Sequence, residues 1–203
     1  LNQLSYIFMN IDSAYEYKEL NKKYLDDKIK EGNHLLEFMS ETIDDFRDYF
    51  KPDQKKELIN IGDVVKRGLE LMKKPLENAQ IDIVHTNRCN NDIEIYVNEF
   101  VQVVLNLVKN AKDALFENNI QNPRIEIITE CDENGTVIEV KDNAGGIDIK
   151  ILDQIFEPYF TTKDAKQGTG LGLYMSKMIV EEHLGGTIIV QNIDDGASFK
   201  IFL

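Results

Sequence analysis

The chain has no tryptophan, only four prolines, two cysteines and three histidines among 203 residues. It also has no apolar run near the ~20 residues of a membrane span, no repeat and no recognisable signal peptide. Each scarcity removes a class of protein. Cys89 and Cys131 are isolated, with no metal-like spacing, so a zinc motif is not indicated. A cytosolic compartment would keep both as thiols with a structural role. Basic residues are short as well. Twenty-three lysines and arginines against 36 acids leave a net charge of −13, which disfavours nucleic acid as a partner. Two familiar phosphate loops are missing too. There is no GxxxxGK[ST], and Leu173 stands where GxGxxG needs its last glycine.

What is there reads as folded: 42% apolar and 29% charged residues, enough for one ordinary domain and a smaller element. Leu1, Leu4, Phe8, Ile11 and Tyr15 step by three and four, as in a helical seam. The polar stretch from Lys18 to Lys22 predicts a turn. A second seam follows through Leu25, Ile29, Gly32, Leu36, Met39, Ile43, Phe46 and Phe50. Two short helices cannot bury both seams between themselves, so a homodimeric four-helix bundle is expected. Pro52 lies in a charged linker. Residues 1–51 are therefore predicted to be a dimerising helical hairpin, and residues 58–203 a second domain.

That second domain alternates helical and strand patterns. A helix is predicted over residues 62–78, with Pro75 a kink or break. Strands are predicted over 81–86, 93–97, 125–131, 136–140, 187–191 and 198–203. Asn98 is predicted to cap a helix bearing Asn106 and Asn110, and Leu173–Leu184 to form another, ended by Gly185-Gly186. The fold class is α+β: a helical hairpin followed by a two-layer α/β sandwich with helices on one face of a mixed sheet.

Three stretches carry the chemistry. Asn106 and Asn110 sit four apart, on one face of a helix whose apolar stripe is Val101, Val104, Leu105, Val108, Ala111 and Leu115. Asparagine is a mediocre mid-helix residue, but its amide oxygen suits Mg²⁺ beside nucleotide phosphates. Asp142-Asn143-Ala144-Gly145-Gly146-Ile147 breaks a strand with paired glycines. Gly168-Thr169-Gly170-Leu171-Gly172 opens a helical run, where backbone N–H groups can face phosphate. The segment between them, including Lys163, has the profile of a mobile flap.

Together these resemble the boxes of sensor histidine kinases. Asn106–Ala114 resembles the N box, Asp142–Ile147 the G1 box, Phe156–Lys163 the F box and Gly168–Leu173 the G2 box, in the family's order. The resemblance implies the sandwich fold of the wider GHKL ATPase group and binding of ATP with Mg²⁺. It makes Asp142 the acceptor for the adenine amine, with Gly145, Gly146 and Ile147 against the base. It makes Asn106 and Asn110 the catalytic residues, Asn110 as the Mg²⁺ ligand and Asn106 near the phosphates. Lys163 and the run Gly168, Thr169, Gly170, Leu171 and Gly172 would meet the phosphates as the flap closes. Lys109, Lys112 and Asp113 flank this site, although pairing on a helix surface explains them equally well.

No nucleophile is evident in these stretches. The resemblance implies a phosphoacceptor histidine on the first hairpin helix, just before the residues that Leu1-Asn2-Gln3-Leu4 resemble, and so upstream of Leu1. His34, His85 and His183 are expected to be structural. The resemblance further implies a response-regulator receiver domain as partner and a cytoplasmic location, with any membrane anchor outside these residues. A gyrase- or chaperone-like hydrolase would have glutamate at position 106. A serine kinase of the anti-sigma type would share the boxes without needing the hairpin. A non-enzymatic dimer scaffold is the third alternative.

Overall fold

The computed structural model describes residues 2–16, 21–33, 36, 55–133, 135–163 and 169–203. The chain opens with α1 (Asn2–Glu16) and α2 (residues 22–33). The Asn21 side chain accepts the Tyr24 N–H at 2.9 Å, a cap that restarts the helix. The Tyr24 hydroxyl crosses the hairpin to donate to the Asn10 carbonyl at 3.3 Å. Ile7 and Ala14 are buried, whereas Phe8 and Tyr15 of the predicted seam are 63% and 73% exposed. The face buried within one chain thus lies one position from the predicted seam. Ile29 and Leu36 of the second seam are exposed as well. The rest of that seam, from Met39 to Phe50, lies outside the described residues, as do Pro52 and His34.

The remainder is an α/β unit. β1 (Glu57–Asn60) pairs antiparallel with β3 (Asp92–Ile95) as a separate ribbon. The main sheet consists of β2 (Asp82–Asn87), β4 (Arg124–Asp132), β5 (Gly135–Asp142), β6 (Thr187–Ile193) and β7 (Gly196–Phe202). Its order is β2-β4-β5-β7-β6, with β2–β4 parallel and the other pairs antiparallel. Three helices complete the unit: α3 (Ile61–Asn78), α4 (Val97–Glu117) and α5 (Gly172–Met178). The sheet alternates with period two. Ile125, Ile127 and Thr129 of β4 are buried, as are Thr136, Ile138, Val140 and Asp142 of β5. Asp142 therefore occupies an inward position, where a strand normally carries an apolar residue.

α4 has neither glycine nor proline in its 21 residues and buries Phe100, Val104, Leu107, Val108, Ala111 and Leu115 against the sheet and α3. Its start corrects the sequence reading. Strand pairing stops at Ile95 opposite Glu57, Tyr96 takes the cap position and Val97 is already helical, so Asn98 is not the cap. No side chain caps the helix, and Glu99 in the first turn supplies the favourable charge there. α3 begins on Asn60, whose side chain accepts the Gly62 N–H at 2.9 Å, and it continues through Pro75 to Asn78 without breaking. The missing proline N–H falls opposite Leu71, which is exposed, so water can serve that carbonyl. The last predicted helix also differs. Seven α-helical residues give way to a π-helical turn, Ile179–His183, closed by the Gly186 N–H donating to the Val180 carbonyl at 2.8 Å.

The cysteines are paired, against the expectation of separate thiols. The register Asn87↔Thr129 and the bond from the Arg88 N–H to the Thr129 carbonyl carry Cys89 alongside Cys131. They form a disulfide with Cα atoms 4.9 Å apart. Pairing across 42 residues is invisible to a reading of local spacing. Unreduced, denatured protein should give no reaction with a thiol reagent. Reduction should lower stability by up to about 4 kcal/mol, from loop-closure entropy. Titratable thiol before reduction would contradict the pairing.

Candidate functional site

A cavity of about 500 Å³ opens between α4, the end of β5 and the segment leading into α5. Asn106, Asn110, Asp142, Gly146, Ile147, Lys163, Thr169, Gly170 and Gly172 all line it. Two predicted site residues do not. Gly145 sits outside the wall, its N–H donating to the Asp195 carbonyl at 2.9 Å. Leu171 is buried in the core. Gly168 lies outside the described residues.

Asp142 ends β5 at one end of the cavity. Its Oδ1 accepts the Ala144 N–H at 2.9 Å and the Ala197 N–H at 3.2 Å. Both bonds fall on one oxygen, and no described group engages the other. Burial pushes the Asp142 carboxyl above the usual carboxylate range. The two backbone N–H groups pull it back down, and nearby Asp195 adds to the rise. The cavity wall also includes Leu105, Ala114, Ile147, Ile155, Leu173 and Ile179, an apolar lining suited to a heteroaromatic ring.

The glycine loop after β5 is held by residues that the sequence did not single out. Asn192 of β6 accepts the Ile147 N–H at 2.8 Å and returns a bond from its Nδ2 to the Ile147 carbonyl at 2.7 Å. Asn118 donates to the Ala144 carbonyl at 2.7 Å. Gly146 has φ +82°, and a Cβ there would meet Asn192 Oδ1 at 2.9 Å, so only glycine fits without strain. Asn192 lies next to a turn and Asn118 next to a helix end, where asparagine is common for local reasons. No local pattern marks their long-range role.

The two asparagines of α4 have separate environments. Asn106 Nδ2 donates to Ser176 Oγ at 2.7 Å, and a Cβ on Gly172 would collide with Asn106 Oδ1. Asn106 thus fastens the start of α5 to α4. Asn110 faces the same cavity, and no side-chain hydrogen bond engages it among the described residues. Phe160 reaches the wall, and Phe156 packs edge-on to Phe199 with ring centroids 6.4 Å apart. Both pack against the core and anchor the intervening segment. His85 lies 3.4 Å from Thr129 Oγ1 and His183 2.9 Å from Glu99, both away from this cavity.

An inward carboxylate and a helical carboxamide thus line one cavity of an α/β domain with a mixed sheet. Residues 96–203 match the family of histidine kinase-, DNA gyrase B-, and HSP90-like ATPases, and the chain belongs to that family. Over 180 residues it is 34% identical to the sensor histidine kinase ZraS of Salmonella typhi, covering 86% of this chain and 36% of that protein. The catalytic domain of histidine kinase ThkA is similar with a TM-score of 0.65 at 27% identity, over 74% of this chain and 95% of that one. ThkA in complex with the response regulator TrrA aligns with a TM-score of 0.69 over 100% of this chain and 58% of that one. At 22% identity that likeness concerns fold alone. The chain spans about a third or less of the curated relatives it matches. No helix among the described residues is long and apolar enough to cross a membrane.

Proposed function

We propose that the cavity binds Mg²⁺-ATP and that the chain is the nucleotide-binding part of a histidine kinase. One observation carries this reading: an Asp142 oxygen and the Asn110 carboxamide, neither engaged by another side chain or backbone group among the described residues, line a single cavity of about 500 Å³. Asp142 accepts a hydrogen bond from an exocyclic amine, which adenine offers where guanine presents a carbonyl oxygen. Among the described residues no three His, Cys, Asp or Glu side chains group as an ion site. A divalent ion here would share its coordination between the Asn110 amide oxygen and nucleotide phosphates, the usual manner of Mg²⁺. When bound, the ion supplies neutralisation of phosphate charge. Asn106 holds the entrance to α5 in place, and Lys109 and Lys163 line the cavity as cations.

In this reading the γ-phosphoryl group moves to an imidazole nitrogen. The bond from phosphorus to the β-bridging oxygen breaks, an N–P bond forms and ADP leaves. The acceptor is a histidine preceding the stretch that begins at Leu1, and the phosphoryl group passes onward to an aspartate of a receiver domain. Incubation with radiolabelled ATP and Mg²⁺ tests this directly. A chain extended upstream through that histidine should acquire acid-labile label, and the 203-residue chain should not. Label on the shorter chain that disappears in His34→Gln would overturn this placement.

The exposed faces of α1 and α2 fit a second copy of the hairpin, completing a four-helix bundle. Phe8→Glu with Tyr15→Glu puts charge on that face and should shift the protein to monomer in light scattering. A parent chain that stays monomeric at every concentration would end the dimer proposal.

A further inference from the structure

The wall of the cavity holds an ion pair whose acidic member the proposed function does not use. Lys163 Nζ donates to Asp113 Oδ2 at 2.7 Å. Asp113 follows Asn106 and Asn110 at positions i+7 and i+3, so the three share one face of α4. Asp113 and Lys163 side chains are only 24% and 20% exposed, and both residues line the cavity. A second bond orders the same point: the Lys163 N–H donates to Thr161 Oγ1 at 3.1 Å. A lysine in a loop is thereby fixed at both its backbone and its ammonium.

We propose that Asp113 is a positioning residue, holding the Lys163 ammonium in the wall of the cavity for the phosphate end of the nucleotide. This rests on the nucleotide-site reading above. An ammonium carries three N–H donors, so a bond to Asp113 leaves two for phosphate oxygens. The alternative is that Asp113 simply repels phosphate, and the local charges oppose it. Lys112 Nζ lies 3.6 Å from Asp113 Oδ1, so one carboxylate is shared by two ammonium groups. Lys109 adds a further positive charge to the wall, against Glu117. The benefit is pre-organisation. A long side chain already held in place loses little rotamer freedom when the ligand arrives, an effect of about two- to tenfold in affinity.

The test is a double-mutant cycle on nucleotide binding. Affinities for the non-hydrolysable analogue AMPPNP with Mg²⁺, and for adenosine, are measured for the parent, Asp113→Ala, Lys163→Met and the double variant. Asp113→Ala should weaken AMPPNP about two- to tenfold, and the double variant should bind it no more weakly than Lys163→Met alone. Adenosine, which has no phosphate, should bind all four proteins equally. Additive losses, or tighter AMPPNP binding by Asp113→Ala, would overturn the proposal. So would loss of adenosine binding in Asp113→Ala, since that would make its role purely structural. A parent protein that binds neither AMPPNP nor adenosine would instead refute the nucleotide site itself.

Discussion

Asp142→Asn should weaken adenine-nucleotide binding roughly ten- to a hundredfold, corresponding to about 1.5–3 kcal/mol for a hydrogen bond to a charged acceptor. The same change should leave the melting temperature at neutral pH unchanged or raised. Asparagine retains an oxygen for the Ala144 and Ala197 N–H groups, so the loop stays attached. Its NH₂ then faces the cavity, where it cannot accept a hydrogen bond from the adenine amine. The stability effect follows from linkage. Burial raises the Asp142 pKa in the folded protein, so folding favours the protonated acid. That contribution is fully present below the unfolded pKa and is lost as pH rises through the folded value. Above the folded-state pKa the parent carries an ionised carboxylate at a cost that asparagine avoids. The stability advantage of the variant should shrink as pH falls into the carboxylate range. Calorimetry across pH, with a fluorescent ATP analogue for affinity, checks both halves. Equal affinity in the two proteins would remove Asp142 from the site.

Asn110→Ala should abolish the part of nucleotide affinity that depends on Mg²⁺ and leave the metal-free part intact. The parent should bind ATP at least about tenfold more tightly with Mg²⁺ than with chelator, in keeping with what disturbing a metal's ligand environment costs. The variant should show the same weak affinity in both conditions. Its folding should be little affected, because the Asn110 side chain engages no described partner. Asn106→Ala should behave differently. It removes the bond to Ser176 Oγ that ties α5 to α4, so it should lower stability by about 1 kcal/mol as well as binding. If Asn110→Ala retained the full Mg²⁺ dependence, the ion would have to be held elsewhere.

Part of this site was legible because its residues violate local preference. Asparagine in mid-helix at 106 and 110 lacks a local justification. Asp142 and the glycines after it, by contrast, suit a turn as well as a ligand loop. The resemblance of the four boxes is what joins them into one nucleotide site. The sheet was legible from its alternation and α4 from its stripe. What escaped depends on tertiary pairing. Ser176, Asn192 and Asn118 are ordinary polar residues in their own segments, and only the fold brings them to Asn106, Ile147 and Ala144. Cys89 meets Cys131 because β2 runs parallel to β4, which spacing alone does not reveal. The start of α4 was misread because Ile93–Val97 looks like a continuous strand, while pairing to β1 ends at Ile95.

The central claim is that the cavity between α4 and the end of β5 is an adenine-nucleotide site. Amide chemical-shift mapping of the 203-residue chain with Mg²⁺-AMPPNP, and in parallel with its guanine counterpart, tests it most directly. The adenine analogue should give saturable shifts at Asp142–Ile147, around Asn110 and Lys163, and across Thr169–Gly172, with the guanine analogue much weaker. Equal responses to the two bases, or shifts confined to residues outside this cavity, would contradict the claim.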